Sequence, residues 1–371
     1  MNIAILTESL DSHSGSRAPL ELAKSLAINN QNKLTIYTRE KPAGCDIDNL
    51  PNKIKIKFIP KGSVFKIFLS LIRDFNSQNY DIMSSNATLS VFIPAALSKI
   101  PVVTTYHGTQ WKVWANKLFP SSRFRKVTKT LDFCINILIW VKTLPIFLLS
   151  DFVVSISGYA KREARNTYFS KTKKIYWGAS PKSLLNAGKN DSSKENTIIS
   201  VSRITPYKGF HKLIEAFKKL DPKLNARLII CGSHPQKNYL KYLNNLTDEK
   251  ITILLNVKDN TLKKLYAKAA IYATCDEYLF FGMPILEAAS NGLPTVCLSY
   301  AAAKEVVKHG KTGFVANSEL EFQKHIETLL KNKKLRAKLS KNAKAFALTF
   351  TWEKTAKEYE KIFRSVIKKT A

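Results

Sequence analysis

Leu279-Phe280-Phe281-Gly282-Met283-Pro284-Ile285-Leu286-Glu287-Ala288-Ala289 is the stretch on which the reading of this chain turns. An aromatic-glycine turn leads into an apolar helical pattern, and one carboxylate, Glu287, sits near the start of that pattern. Helix N-termini carry unpaired N–H groups and a partial positive charge. A loop-to-helix junction of this kind suits the anionic or polyhydroxylated end of a ligand. Residues 271–274, just upstream, read as a short apolar strand, and residues 295–298 as the next one.

Working outward, the same alternation fills the second half of the chain. Residues 197–201 read as a strand ending in Ser202-Arg203-Ile204-Thr205-Pro206-Tyr207-Lys208-Gly209, with a helix over 210–220. Arg203 can donate a planar fork and Lys208 a point charge, so two cations in a strand-to-helix loop suit a diphosphate better than plain solvation. Residues 227–231 form a strand ending at Gly232, whose small size lets backbone approach a ligand. Residues 251–255 are a further strand, 262–269 a helix, and 351–369 an amphipathic helix closing the sequence. The first half repeats the pattern. Strands are expected over 2–7, 33–38, 53–59, 81–84, 101–106 and 151–157, and helices over 19–27, 64–76 and from Ser157 onward. Strands alternating with helices indicate doubly wound parallel sheets, which bind ligands at the carboxyl ends of strands. His107-Gly108 lies at such an end, which favours a site role. The loop Ser14-Gly15-Ser16-Arg17 fits either a phosphate contact or a plain connection with a Ser cap.

At 371 residues, the chain is expected to divide into two domains of about 150–190 residues. The assignment is 1–180, a polar linker over 181–196, a second domain over 197–350, and a helix over 351–371 that packs back toward the first domain. A hydrophobic content of 45% is enough for ample cores. With 59 Lys and Arg against 28 Asp and Glu, the net charge of +31 points to an anionic partner: nucleic acid, an acidic membrane surface or phosphorylated ligands. A generally basic proteome is the bland alternative. The nucleic-acid class lacks a recognition helix, a zinc pattern or an aromatic-basic motif, so no specific nucleic acid is expected. The five cysteines are scattered without C-x-x-C, which indicates neither a metal centre nor a disulfide framework and fits a reducing compartment. No signal peptide is read before the first strand, and a cytoplasmic location is expected.

Residues 111–149 stand apart. Seven Lys and Arg face the single acid Asp132, and an apolar run over 133–141 continues past Lys142 and Pro145. Two readings fit: a buried helix pair of the first domain, or a basic apolar surface that dips into an anionic leaflet. Asn136, Lys142 and Pro145 argue against a true membrane span.

Ser202-Arg203 with Lys208-Gly209, then Cys231-Gly232, Phe281-Gly282 with Leu286-Glu287-Ala288, and Gly310-Lys311-Thr312-Gly313 together resemble the retaining glycosyltransferases of family 4 (glycosyltransferase group 1). The first half resembles them through Gly15, His107-Gly108, Ser155-Ile156-Ser157 and Trp177-Gly178. The resemblance implies an α/β GT-B fold: two Rossmann-like doubly wound parallel-sheet domains facing a cleft. It implies a nucleotide-diphosphate sugar as co-substrate, and neither cofactor nor metal. Arg203 and Lys208 would neutralise the leaving diphosphate, and Glu287 would accept from the ribose. Backbone around Gly282, Met283 and Pro284 would bind near sugar or phosphate, with Gly232 alongside. His107 would reach the donor sugar, and Gly15 and Ser16 would close on the phosphates. The basic, apolar stretch 111–149, and not the resemblance, suggests the acceptor: a glycan or lipid-linked molecule, worked on by a peripheral protein at the cytoplasmic membrane face.

Two departures qualify this. The family pairs two glutamates with seven residues between them, and counting back from Glu287 reaches Leu279. A bulged loop that returns Glu277 to the sugar is expected. Without it the first carboxylate is lost, and a non-catalytic GT-B module or partner subunit becomes the alternative. Trp177 stands where the family commonly has Asn, and packing is favoured for it over stacking on an acceptor.

Overall fold

Asn2–Leu6 forms β1, in which Ile3, Ala4, Ile5 and Leu6 are wholly buried. A strand hidden on both faces belongs inside a parallel sheet covered by helices. The computed structural model of the chain describes residues 1–10, 17–29, 32–39, 50–86, 89–108, 125–179 and 196–370. In it β1 pairs in parallel with β2 (Lys33–Thr38) on one side and β4 (Ile82–Ser85) on the other. With β3 (Ile54–Phe58), β5 (Val102–Tyr106), β6 (Phe152–Ser155) and β7 (Lys173–Lys174) the order is β3-β2-β1-β4-β5-β6-β7. The second sheet is built from β8 (Thr197–Arg203), β9 (Arg227–Ser233), β10 (Ile251–Leu255), β11 (Ile271–Thr274), β12 (Thr295–Leu298) and β13 (Gly313–Ala316). It is also parallel, in the order β10-β9-β8-β11-β12-β13. Both are doubly wound α/β sheets, so the chain carries two Rossmann-like domains as the motifs imply. The strand order reverses beside β1 in one and beside β8 in the other, and the crevice above such a switch point is where these sheets hold ligands.

The described residues group into two compact units. One is drawn from Met1–Lys112, Arg123–Gly178 and Thr351–Ala371, the other from Ala179–Phe350.

The first unit's helices are α1 (Ala18–Asn29), α2 (Val64–Ser77), α3 (Leu89–Ala96), α4 (Arg125–Leu149) and α5 (Gly158–Tyr168). Ile67, Leu71 and Phe75 recur at helical spacing on α2 and pack with Val91, Phe92 and Ala95 of α3 against the sheet. Ser157 caps α5 by accepting from the Ala160 N–H at 3.1 Å.

The second unit holds α6 (Phe210–Lys218), α7 (Lys237–Leu246), α8 (Asp259–Lys268), α9 (Met283–Ser290), α10 (Ala303–Val306), α11 (Glu319–Lys331) and α12 (Lys333–Ala347). Its core joins Phe210, Leu213 and Ile214 of α6 to Ile198 and Ile230 of the sheet and to Phe322 and Ile326 of α11. The closing helix α13 (Trp352–Thr370) belongs to the first unit. Thr355 Oγ1 donates to the Tyr176 carbonyl at 2.8 Å, Lys173 pairs with Glu358 at 2.8 Å, and the Thr105 and Tyr359 hydroxyls meet at 2.9 Å.

Within 111–149 the described residues, 125–149, form one continuous helix, and the helix-pair reading of the whole stretch extends over 111–124, which lie outside the described residues. Pro145 lies inside α4 without ending it. Trp140, Leu144 and Phe147 pack on Tyr106, Val153 and Tyr168, and Trp140 Nε1 donates to the Thr167 carbonyl at 3.0 Å. Ile137, Leu138, Val141, Leu148 and Leu149 are instead exposed. At 100° per residue they share one face, which Cys134 extends. Among the described residues no helix is long and apolar enough to cross a membrane. The basic residues of 111–123 and the linker over 181–195 lie outside the described residues.

Candidate functional site

The crevice between β8 and β11 is lined by the loops leaving those two strands. Leaving β8, Arg203 is exposed and its Nη2 donates to the Tyr207 hydroxyl at 2.9 Å. Pro206–Lys208 is one 3-10 turn, closed by Gly209 at φ 67°. That glycine does two things. It takes the left-handed conformation, and a Cβ on it would lie 2.4 Å from the Cys275 carbonyl oxygen. The β8 loop therefore rests on the start of the β11 loop.

Leaving β11, Asp276 is buried and pairs with Lys208 at 2.6 Å. Its other oxygen accepts the Tyr278 N–H at 2.9 Å, an Asx turn. The Lys208 ammonium lies 5.1 Å from the centre of the Tyr207 ring, and Tyr278 meets that ring edge-on at 5.8 Å. The Glu277 N–H donates to the Tyr207 carbonyl at 3.0 Å, which ties the two loops a second time.

Glu277, expected to be carried to the sugar by a bulge, pairs with Lys212 on α6 at 3.0 Å. Lys212 also meets Glu319 at 3.4 Å. Burial lowers the Lys212 pKa, but the hydrogen bond and charge of Glu277, with Tyr300 and Glu319, outweigh burial and raise it above the ordinary lysine range. The carboxylate beside Lys208 is thus Asp276, which the sequence reading passed over. The one signal for it was a short acid two residues before a turn amide. Leu279 is buried, lies close to Gly282, and accepts the Ala302 N–H on its carbonyl at 2.9 Å.

Gly282, at φ 93°, caps α9 with Pro284 in its first turn and no side-chain cap bond. Met283 is buried there, and Glu287 is buried one turn further on. Tyr272 donates to the Val201 carbonyl at 3.0 Å. Burial raises its phenol pKa, and the charges of Asp276 and Glu287 raise it further, so both carboxylates lie within electrostatic reach of one ring. Gly232 has a packing reason: a Cβ there would lie 2.2 Å from Ile204 Cδ1. Gly15 and Ser16 lie outside the described residues.

In the first unit His107 follows β5, and its Nε2 lies 3.3 Å from the Asn86 side-chain oxygen at the end of neighbouring β4. Trp177 is buried, edge-on to His107 at 4.9 Å and 6.2 Å from Trp352. Gly178 leaves room for that Trp352 indole, which a Cβ would approach to 2.4 Å. Trp177 is therefore a packing residue.

Burial lowers the His107 pKa to about 4, so the ring is neutral at pH 7. The unfolded chain takes up a proton near pH 6.5, which folded His107 refuses until about pH 4. Its contribution to stability is complete above that window and falls by about 3 kcal/mol on acidification through it. An NMR titration of the His107 ring should show a midpoint near 4; a midpoint near 6.5 would contradict the burial argument.

Two doubly wound sheets, with a cation-bearing loop and a helix start at the second switch point, define a protein of GT-B architecture. Comparisons with known proteins agree. Residues 184–346 match the family model of glycosyl transferases group 1. An uncharacterized glycosyltransferase of Methanocaldococcus jannaschii is 29% identical over 232 residues, covering 57% of this chain and 59% of that protein. The chain spans about half the length of the curated relatives it matches first. Sucrose-phosphate synthase from Thermosynechococcus elongatus superposes with a TM-score of 0.78 at 16% identity, over 98% of each chain. Anabaena HepE in complex with UDP and glucose superposes with a TM-score of 0.72 at 18% identity, over 98% of this chain and 100% of that one. At such identities the superpositions establish the fold. The fold is GT-B, and the match to the glycosyl transferases group 1 model falls in the second half of the chain.

Proposed function

We propose that the chain is a retaining glycosyltransferase that moves a sugar from a nucleotide-diphosphate sugar to a glycan or lipid-linked acceptor. The observation that carries this is the placing of Arg203 and Lys208 in one loop at the switch point of the second sheet, tied to the loop that leads into α9. The relative whose structure holds UDP and glucose supports the donor class. In this reading Arg203 and Lys208 meet the charge that grows on the leaving diphosphate, so no metal is needed there. Gly282, Met283 and Pro284 present the α9 start to the donor, Glu287 accepts from the ribose, and Gly232 borders the site. The anomeric C–O bond to phosphate breaks as the acceptor oxygen adds on the same face, and the acceptor proton passes to a leaving phosphate oxygen. His107, and Gly15 with Ser16, are proposed to contribute from the first unit.

A screen of UDP-, GDP- and ADP-sugars by thermal unfolding tests the donor class. A true donor at about 100 times its Kd adds about 2.7 kcal/mol. No stabilisation by any of them would remove the proposal. Burial of Leu279, where the family places a carboxylate, favours a non-catalytic module as the second reading. Release of nucleoside diphosphate that is lost on Arg203→Ala would exclude that reading.

The acceptor proposal rests on α4, whose exposed apolar face carries Lys142 at its margin and follows a basic stretch. Docking at the cytoplasmic face of an anionic membrane is proposed. Co-sedimentation with vesicles of anionic lipid should be lost when Ile137, Leu138 and Val141 are changed to Asp. Equal sedimentation of the variant and the parent would sink the membrane reading.

A further inference from the structure

We propose that Asp276 is a positioning residue. It fixes the Lys208 ammonium in the crevice between β8 and β11 so that the cation is already placed for the departing diphosphate, and turnover depends on that placement. This rests on the donor site proposed above.

A lysine has a flexible four-carbon stem, and left alone its ammonium samples many positions. Here the position is set. Lys208 Nζ lies 2.6 Å from Asp276 Oδ2, with the two side chains only 13% and 7% exposed. Asp276 has little freedom of its own, because Oδ1 accepts the Tyr278 N–H at 2.9 Å and its own N–H donates to Thr274 Oγ1 at 3.3 Å. The Tyr207 ring that faces the ammonium is held by Arg203 through its hydroxyl and by the edge of Tyr278. The carboxylate is thus anchored to the end of β11 and reaches across the switch point to a cation from the end of β8. Such placement is completed on folding, and none of it has to be reorganised during reaction.

The pair also divides binding from turnover. Half-neutralised by Asp276, Lys208 attracts a ground-state diphosphate only moderately. Its value rises as negative charge grows on the leaving oxygens. Removing the carboxylate frees the cation, which keeps or strengthens donor binding while the alignment needed in the transition state is lost.

The test measures nucleoside diphosphate release from the UDP-, GDP- or ADP-sugar that stabilises the protein most, with water or glycan as acceptor. Asp276→Asn keeps an acceptor for the Tyr278 N–H. It is expected to lower kcat by about tenfold or more with the donor KM within about threefold of the parent. Asp276→Ser keeps a shorter acceptor for that amide and should show the same split; Asp276→Glu should recover part of the loss. In a Lys208→Ala background Asp276→Asn should add nothing, because it acts through the lysine. Parental kcat in Asp276→Asn would overturn the proposal, and so would an equal further loss in the Lys208→Ala background. Parental turnover and donor affinity in Lys208→Ala alone would instead remove the donor site itself, which is a separate outcome.

Discussion

Lys208→Ala and Arg203→Ala should each lower the rate of nucleoside diphosphate release by about 10²–10³-fold, the usual cost of removing one donor to charge that develops in a transition state. The two variants should then part company in stability. Lys208 is nearly buried and paired with Asp276, so removing it leaves a buried carboxylate without its counter-charge. That costs about 3–5 kcal/mol. Arg203 is exposed and linked within its loop through the Tyr207 hydroxyl, so its loss should change stability by about 1 kcal/mol or less. Denaturant titration beside the rate measurement checks both halves. Equal destabilisation by the two changes would refute the contrast between a buried pair and a surface fork, and retained rates would refute the site.

Gly209→Ala should destabilise the second unit by about 2–4 kcal/mol, from left-handed strain and overpacking together. The backbone sits at φ 67°, and the added carbon would meet the Cys275 carbonyl oxygen at 2.4 Å and Cys275 Cβ at 2.8 Å. Neither is the free end of a flexible side chain, so the two loops have to move apart. Gly310→Ala separates the causes, because Gly310 has φ 69° but nothing within 4 Å of the added carbon. It should cost only the strain, about 1 kcal/mol. Equal losses at the two positions would show that the loop contact carries no weight. Moving the loops apart also displaces Lys208, so Gly209→Ala should depress turnover where Gly310→Ala does not.

Much of the architecture follows from local pattern. Residues 251–255, 271–274 and 295–298 read as strands and are strands to the residue, since short apolar runs between turn signals leave a buried strand few alternatives. The cations at 203 and 208 and the helix start at 282 are equally local. Other elements escaped. α11 and α12 are amphipathic but densely charged, α7 carries three Asn, and α3 is an apolar run carrying Pro94, so none of these patterns announces a helix plainly. Pro145 stands inside α4 without ending it, because the loss of one backbone hydrogen bond in a helix packed along one side does not force a break.

The sequence by itself determined the alternation of strand and helix, the two parallel sheets, and which residue types end β8 and begin α9. Only the tertiary structure decided which carboxylate meets Lys208. Glu277 and Asp276 are neighbours, and spacing alone cannot choose between them. The choice comes from setting β8 beside β11, 68 residues on, with the Tyr278 amide turning Asp276 toward the lysine and α6 offering Lys212 to Glu277. The same holds for Gly232, whose missing side chain makes room for Ile204 from the neighbouring loop. Ion pairs and close contacts between segments far apart in the chain are set by which strands adjoin, and no local window of sequence contains that.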